Sequence, residues 1–158
     1  MLKRLTYALA GLQTGVTGAI AMLSFLSIGS LFTRHSLWWI PNLIASTIYG
    51  QSSVREGIGI YTAAGIAIAL CFYGVAGVLF AEIVGGRHGG FRFFWISLIA
   101  GMFIYWALLR WFWRIANPVG HLYTPDGQLL FAHLVFGCFL AAYPRTQRKL
   151  AGVSDGIA

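Results

Sequence analysis

Between Arg92 and Arg110 the chain runs seventeen residues without a charge. As a helix rising about 1.5 Å per residue, that run is about 25 Å long, close to the ~30 Å hydrocarbon thickness of a bilayer. Aromatic side chains crowd it: ten of the twenty-three residues 91–113 are Phe, Tyr or Trp. The stretch opens Phe91-Arg92-Phe93-Phe94-Trp95 and closes Arg110-Trp111-Phe112-Trp113-Arg114. Arg and Trp at both ends of an uncharged helix suit a segment that meets two membrane–water interfaces. This one feature predicts an integral membrane protein.

Composition agrees. A hydrophobic content of 58% with only 9% charged residues excludes a soluble globular fold. The 158 residues give a single membrane domain, 1–158. Twenty glycines suit helices whose backbones approach closely in lipid. The formal net charge of +7 would also suit nucleic acid, but the basic residues stand at the ends of apolar segments. The bilayer, and anionic lipid in particular, is therefore the expected partner, and no nucleic acid is. Cys71 and Cys138 both fall in apolar segments, so no structural disulfide is expected. Met1-Leu2-Lys3-Arg4 before an apolar run could begin a signal peptide. The run continues to Phe32 without a small-residue cleavage site, so it reads as a retained anchor.

The expected fold class is all-α: a bundle of four transmembrane helices with a short interfacial or re-entrant helix between the first and second. The spans fall at residues 5–32, 58–84, 93–115 and 125–143. In the first, Gly11, Gly15 and Gly18 form a small-residue face beside Ala19 and Met22. In the second, Gly74 and Gly77 do the same, and Gly137 joins them from the fourth. Residues 38–50, Trp38-Trp39-Ile40-Pro41-Asn42 through Gly50, are too apolar for a free loop and too short to span. Pro41 suits the first turn of a short helix there, and Gly50 its end. Gly85-Gly86-Arg87-His88-Gly89-Gly90 reads as a hairpin turn, since a phosphate loop needs a strand before it. Thr124-Pro125-Asp126 supplies a cap, a first-turn proline and an acid for the last span. Pro144 is expected to end that span and leave 144–158 as a short mobile tail.

Basic residues set the orientation. With both termini inside, the inner side holds seven: Lys3, Arg4, Arg87, Arg92, Arg145, Arg148 and Lys149. The outer side holds four, Arg34, Arg55, Arg110 and Arg114, which favours N-in and C-in.

Residues that could carry chemistry are few. Arg110 and Arg114, four apart, share a helical face with Trp106, Trp113 and Asn117. Such a pair can snorkel to the headgroups, or grip a lipid phosphate, a carboxylate or a quinone head. His133 lies two turns into the fourth span and is the candidate cofactor residue. Its partners within reach would be Ser24, Ser27, Tyr61, Thr62 or Tyr105, which makes it a hydrogen-bonded packing histidine. As a haem ligand it would need a second axial residue at its depth, and His35, His88 and His121 lie in connections. Their spacing fits no metal site, so neither metal nor cofactor is expected. Glu82 stands at the inner interface, where Arg87 offers an ion pair. Catalytic serine, paired-carboxylate and Cys–His arrangements are absent, and the chain is not expected to be an enzyme.

Four short motifs carry a resemblance. They are Gly15-Val16-Thr17-Gly18-Ala19 with Met22, Trp39-Ile40-Pro41-Asn42-Leu43, Asn117-Pro118, and His133-Leu134-Val135-Phe136-Gly137. Together they resemble small, uncharacterised four-helix inner-membrane proteins of bacteria (domains of unknown function). Ala67-Ile68-Ala69 stands where that pattern leads one to expect a histidine. The resemblance implies the fold and a bacterial cytoplasmic membrane, not an activity. The expected role is non-catalytic: an accessory subunit of a larger membrane complex, or a small homo-oligomer. A small transporter or channel is the alternative, through a polar track of Gln13, Thr14 and Thr17 with Ser24 and His133. A haem- or quinone-associated electron-transfer subunit is the third reading.

Overall fold

The computed structural model describes residues 2–86, 90–118, 123 and 126–155, with side chains at all of these except 2, 3, 109, 110 and 153–155. Arg87, His88, His121 and the Thr124-Pro125 cap therefore lie outside the described residues. Every regular element among those described is helical. In order they are α1 (Leu2–Phe32), α2 (Trp39–Tyr49), a 3-10 turn (Gln51–Arg55), α3 (Ile60–Val84) and α4 (Phe91–Ala107). A π turn (Leu108–Phe112) follows, then α5 (Trp113–Ala116), α6 (Asp126–Leu140) and α7 (Tyr143–Asp155).

Three helical stretches are long and apolar enough to cross a membrane: Arg4–Phe32, Ile60–Val84, and Asp126–Gly152, which runs from α6 into α7. α4 is a shorter apolar helix of 17 residues. The expected span at 93–115 is thus not one α-helix. Its last third winds through the π turn, where i→i+5 hydrogen bonds replace i→i+4 and reset which residues share a face. α2 occupies 11 of the residues expected to form a short helix.

The bundle is assembled through glycine. α1 and α3 touch backbone to backbone, with Gly11 and Gly15 of one against Tyr73, Gly74 and Gly77 of the other. A Cβ on Gly77 would run into the Gly11 carbonyl and come within 2.8 Å of the Gly15 Cα. α4 hangs on α6 by the same means. A Cβ on Gly101 would meet the His133 carbonyl, and one on Gly137 would lie 2.9 Å from the Ser97 carbonyl. Gly65 of α3 seats α2, its missing Cβ leaving room for the Pro41 carbonyl. Gly18 receives the Phe136 ring. Sequence pattern alone points to Gly11, Gly15, Gly18, Gly74, Gly77 and Gly137, and to Gly65 among the small residues of the second span, but passes over Gly101. Gly101 follows Ser97 at small-xxx-small spacing, the signal that would have found it.

The expected mobile tail is a helix. Pro144 sits in the first turn of α7, where a missing N–H costs nothing, so it begins this helix as well as interrupting the one before. Tyr143 anchors the junction. It is fully buried between Phe80 and Phe93, with ring centroids at 6.3 and 6.4 Å, and its hydroxyl donates to the Gly85 carbonyl at 3.2 Å. Leu150 packs against the core, while Arg145, Arg148 and Lys149 stay exposed. α1 closes at its other end through Ser30, whose hydroxyl lies 2.7 Å from the Ser27 carbonyl and 2.8 Å from that of Ser36.

The two glycines of α3 differ in what they face, and substitution should expose the difference. Gly77→Ala forces α1 and α3 apart and should cost about 1–3 kcal/mol of stability. Gly74→Ala meets only the ends of the Leu12 and Val16 side chains, which can turn aside, so its cost should stay under about 0.5 kcal/mol after the helix-propensity gain. Thermal unfolding in mild detergent compares them. Equal midpoints would contradict the α1–α3 contact.

Candidate functional site

The buried stripe of α6 is Leu129, Ala132, His133, Phe136, Gly137 and Leu140, a spacing of three and four that turns one face to the bundle. His133 therefore points inward and is 2% exposed. Its Nδ1 lies 2.8 Å from the Leu129 carbonyl, which can only accept, so Nδ1 carries the proton. Nε2 of the neutral ring is then an acceptor, and the Tyr73 hydroxyl donates to it at 2.8 Å. Tyr105 flanks the imidazole edge-on at a centroid distance of 5.6 Å, and Phe136 packs on the Tyr73 ring at 4.8 Å.

This pair forms the floor of a cavity of about 200 Å³. Met22 and Leu26 of α1, Ile40 of α2, Ala69 of α3 and Leu129 of α6 line its inner part, all buried. Ile48 of α2, Phe72 of α3 and Phe112 of the π turn rim it and are exposed. The mouth thus opens sideways, on the apolar outer surface. Among the described residues no lining side chain is charged.

Two buried asparagines hold α2 over this cavity. Asn42 is fully buried; its amide donates to the carbonyls of Glu56 at 2.7 Å and Gly57 at 3.3 Å, and its Oδ1 accepts from the Thr62 hydroxyl at 2.8 Å. Asn117, at the end of α5, donates to Ser46 Oγ at 2.6 Å from the opposite side. His35 stacks on Trp39 at 4.1 Å where the chain enters α2.

The residues singled out from sequence are not gathered into one site. Arg114 is exposed, and the Arg110 side chain lies outside the described residues. Trp106 and Trp113, seven apart and so on one face of an unbroken α-helix, part company across the π turn. Trp106 is 48% exposed and lies 6.0 Å from Trp111, whereas Trp113 lines the cavity. Gln13, Thr17 and Ser24 of the expected polar track are exposed, and the buried Thr14 hydroxyl is 2.9 Å from its own helix's Ala10 carbonyl. Of the residues expected to satisfy His133, Tyr105 does flank it, but Thr62 is bound to Asn42. Tyr73 stands among the small residues of α3, and no sequence spacing links it to His133, sixty residues on.

Iron at His133 Nε2 would have to displace Tyr73. Among the described residues no three His, Cys, Asp or Glu side chains converge. Glu82 is exposed, and its expected neighbour Arg87 lies outside the described residues. No protein-family model, curated protein or solved structure matches the chain.

Asn42→Ala takes the side-chain donor from the Glu56 carbonyl and leaves the Thr62 hydroxyl only its 3.4 Å contact with the Gly57 carbonyl, and should lower stability by about 1–3 kcal/mol. Asn42→Asp should cost more, since a carboxylate brings no donor to the Glu56 and Gly57 carbonyls. Thermal unfolding ranks the two, and hydrogen exchange over residues 39–59 should show α2 loosening first. Wild-type protection in both variants would refute the anchoring role.

Proposed function

We propose that the protein is a non-catalytic, multi-pass integral protein of a bacterial cytoplasmic membrane, with both termini inside. It crosses the bilayer four times, α4 with its π turn and α5 forming the remaining span, and it serves as an accessory subunit of a membrane assembly or of its own homo-oligomer.

The observation that carries this reading is a contrast between outer faces. α1 and α3 expose aliphatic side chains such as Leu5, Leu9, Ile20, Val75, Leu79 and Ile83, which suit lipid tails. α4 buries only Phe93, Ser97 and Gly101, and turns Phe91, Trp95, Phe103 and Trp106 outward along with Ile99. Phe103 and Trp106 fall near the middle of the span formed by α4, the π turn and α5, away from the ends where headgroup-level aromatics sit, and aromatic side chains are enriched in protein interfaces. The basic residues at the helix ends, Arg145, Arg148 and Lys149 among them, suit anionic headgroups on the inner side.

Site-directed photo-crosslinking tests it. With Cys71 and Cys138 replaced by Ser, a benzophenone on Phe103→Cys should give protein adducts in native membranes, while the same probe on Leu79→Cys should label lipid. Mass spectrometry of the adducts identifies a second copy or another subunit. Lipid labelling alone at both positions would remove the case for a partner on α4. For topology, Ser52→Cys should react with an impermeant maleimide in intact cells and Ser154→Cys should not.

A further inference from the structure

The cavity above His133 is placed where three departures from plain helical packing meet. The short helix α2 roofs it, the π turn supplies one wall, and a buried polar pair sits at its floor. Each of these costs something that uninterrupted α-helices would avoid, and π turns recur at functional sites. Size comes next. An enclosed apolar cavity of ~150 Å³ admits benzene; at about 200 Å³ this one takes a substituted ring or a short length of chain. The exposed apolar rim of Ile48, Phe72 and Phe112 makes the outer surface, not water, the side of entry. Among the described residues no lining side chain is charged, so none of them compensates a charged group and a neutral occupant suits the cavity.

Its polar group follows from the hydrogen-bond order. Leu129 fixes the proton on Nδ1, Nε2 takes the Tyr73 proton, and the described hydrogen bonds leave one lone pair of Tyr73 Oη uncommitted. What the floor offers a newcomer is an acceptor. At this floor an ether or ester oxygen finds no donor, whereas a hydroxyl does find its partner; the lining's own donors, the Thr47 hydroxyl and the Trp113 indole N–H, belong to α2 and α5. We propose that this cavity binds the hydroxyl-bearing end of an uncharged lipid-soluble molecule, a phenol or quinol ring or a long-chain alcohol, which enters from the bilayer and donates to Tyr73. The inference rests on the chain's lying in a membrane but not on its having a protein partner.

The test uses the purified full chain in lipid nanodiscs and four probes: 4-nonylphenol, 4-nonylanisole, nonylbenzene and 1-dodecanol. The thermal unfolding midpoint is followed against probe concentration, corrected for partitioning into the lipid. 4-Nonylphenol should stabilise at about tenfold lower concentration than nonylbenzene, the worth of one buried hydrogen bond. The anisole, which accepts but cannot donate, should behave like nonylbenzene. Tyr73→Phe should erase the advantage of the phenol, and Ile44→Trp, on the half-buried side of α2, should weaken all four by filling the cavity. 1-Dodecanol matching the phenol assigns a chain alcohol, and its falling behind assigns a ring; either supports the hydroxyl rule. Phenol, anisole and hydrocarbon acting alike on the wild type would overturn the proposal, whether or not the variants fold. So would a phenol advantage that survives Tyr73→Phe.

Discussion

Helices in lipid gain nothing from leaving lipid for one another, since each is already surrounded by hydrocarbon. What holds them is close contact, and close contact requires that side chains be absent. In this chain the α1–α3 seam meets that requirement most fully, with Gly11 and Gly15 laid on the backbone of Tyr73 to Gly77. Everything else is hung from it. Because the two backbones touch at Gly15, the Tyr73 side chain is driven off the seam and towards α6, where His133 meets it. Gly101 and Gly137 repeat the device between α4 and α6, and Gly65 repeats it beneath the Pro41 carbonyl of α2. One contact geometry, used three times, sets the positions of five helices.

Backbone polarity is the second constraint. The connection from α1 to α3 leaves the helical ladder at Glu56 and Gly57, whose carbonyls face the fully buried Asn42. Asn42 repairs the break by carrying two donors to these carbonyls and an acceptor to Thr62. Asn117 does a smaller version of the same work against Ser46. The result is that α2 is held by directional bonds at both flanks while its middle, Ile44 and Thr47, spans the cavity without filling it.

Much of this was legible in the sequence, and the reason is physical. Apolar run length reports bilayer thickness, so the long helices α1 and α3 could be read almost to their ends. Glycine at three- and four-residue spacing reports close approach, which marked Gly11, Gly15 and Gly77. Features that depend on two distant segments were not legible. Asn42 reads as an interface residue until its carbonyl partners are seen to be fourteen and fifteen residues away. The π turn carries no signature, because Leu108-Leu109-Arg110-Trp111-Phe112 continues an α-helical pattern without a break. α7 was hidden by Pro144, which starts a helix as readily as it stops one. The candidate site moved for the same reason: the arginine pair was a local pattern, while the cavity is built from five segments.

Could the cavity be an ordinary packing fault, filled by whichever acyl chain drifts past? The energetics argue against it. A void of about 200 Å³ costs on the order of 5 kcal/mol when nothing fills it, a large fraction of a domain's stability. Ala69 lines it, and a larger aliphatic side chain there would take up part of the space. An acyl chain would restore the lost contacts with Met22, Leu26 and Ile40. It would do nothing for Tyr73, whose oxygen lies buried with a lone pair that only a donor can use. For a site meant to hold hydrocarbon, phenylalanine at 73 and leucine at 133 would be simpler and avoid burying polar atoms. A polar end on the occupant gives the buried Tyr73–His133 pair a use that hydrocarbon would not, and the order of its protons suits a donor.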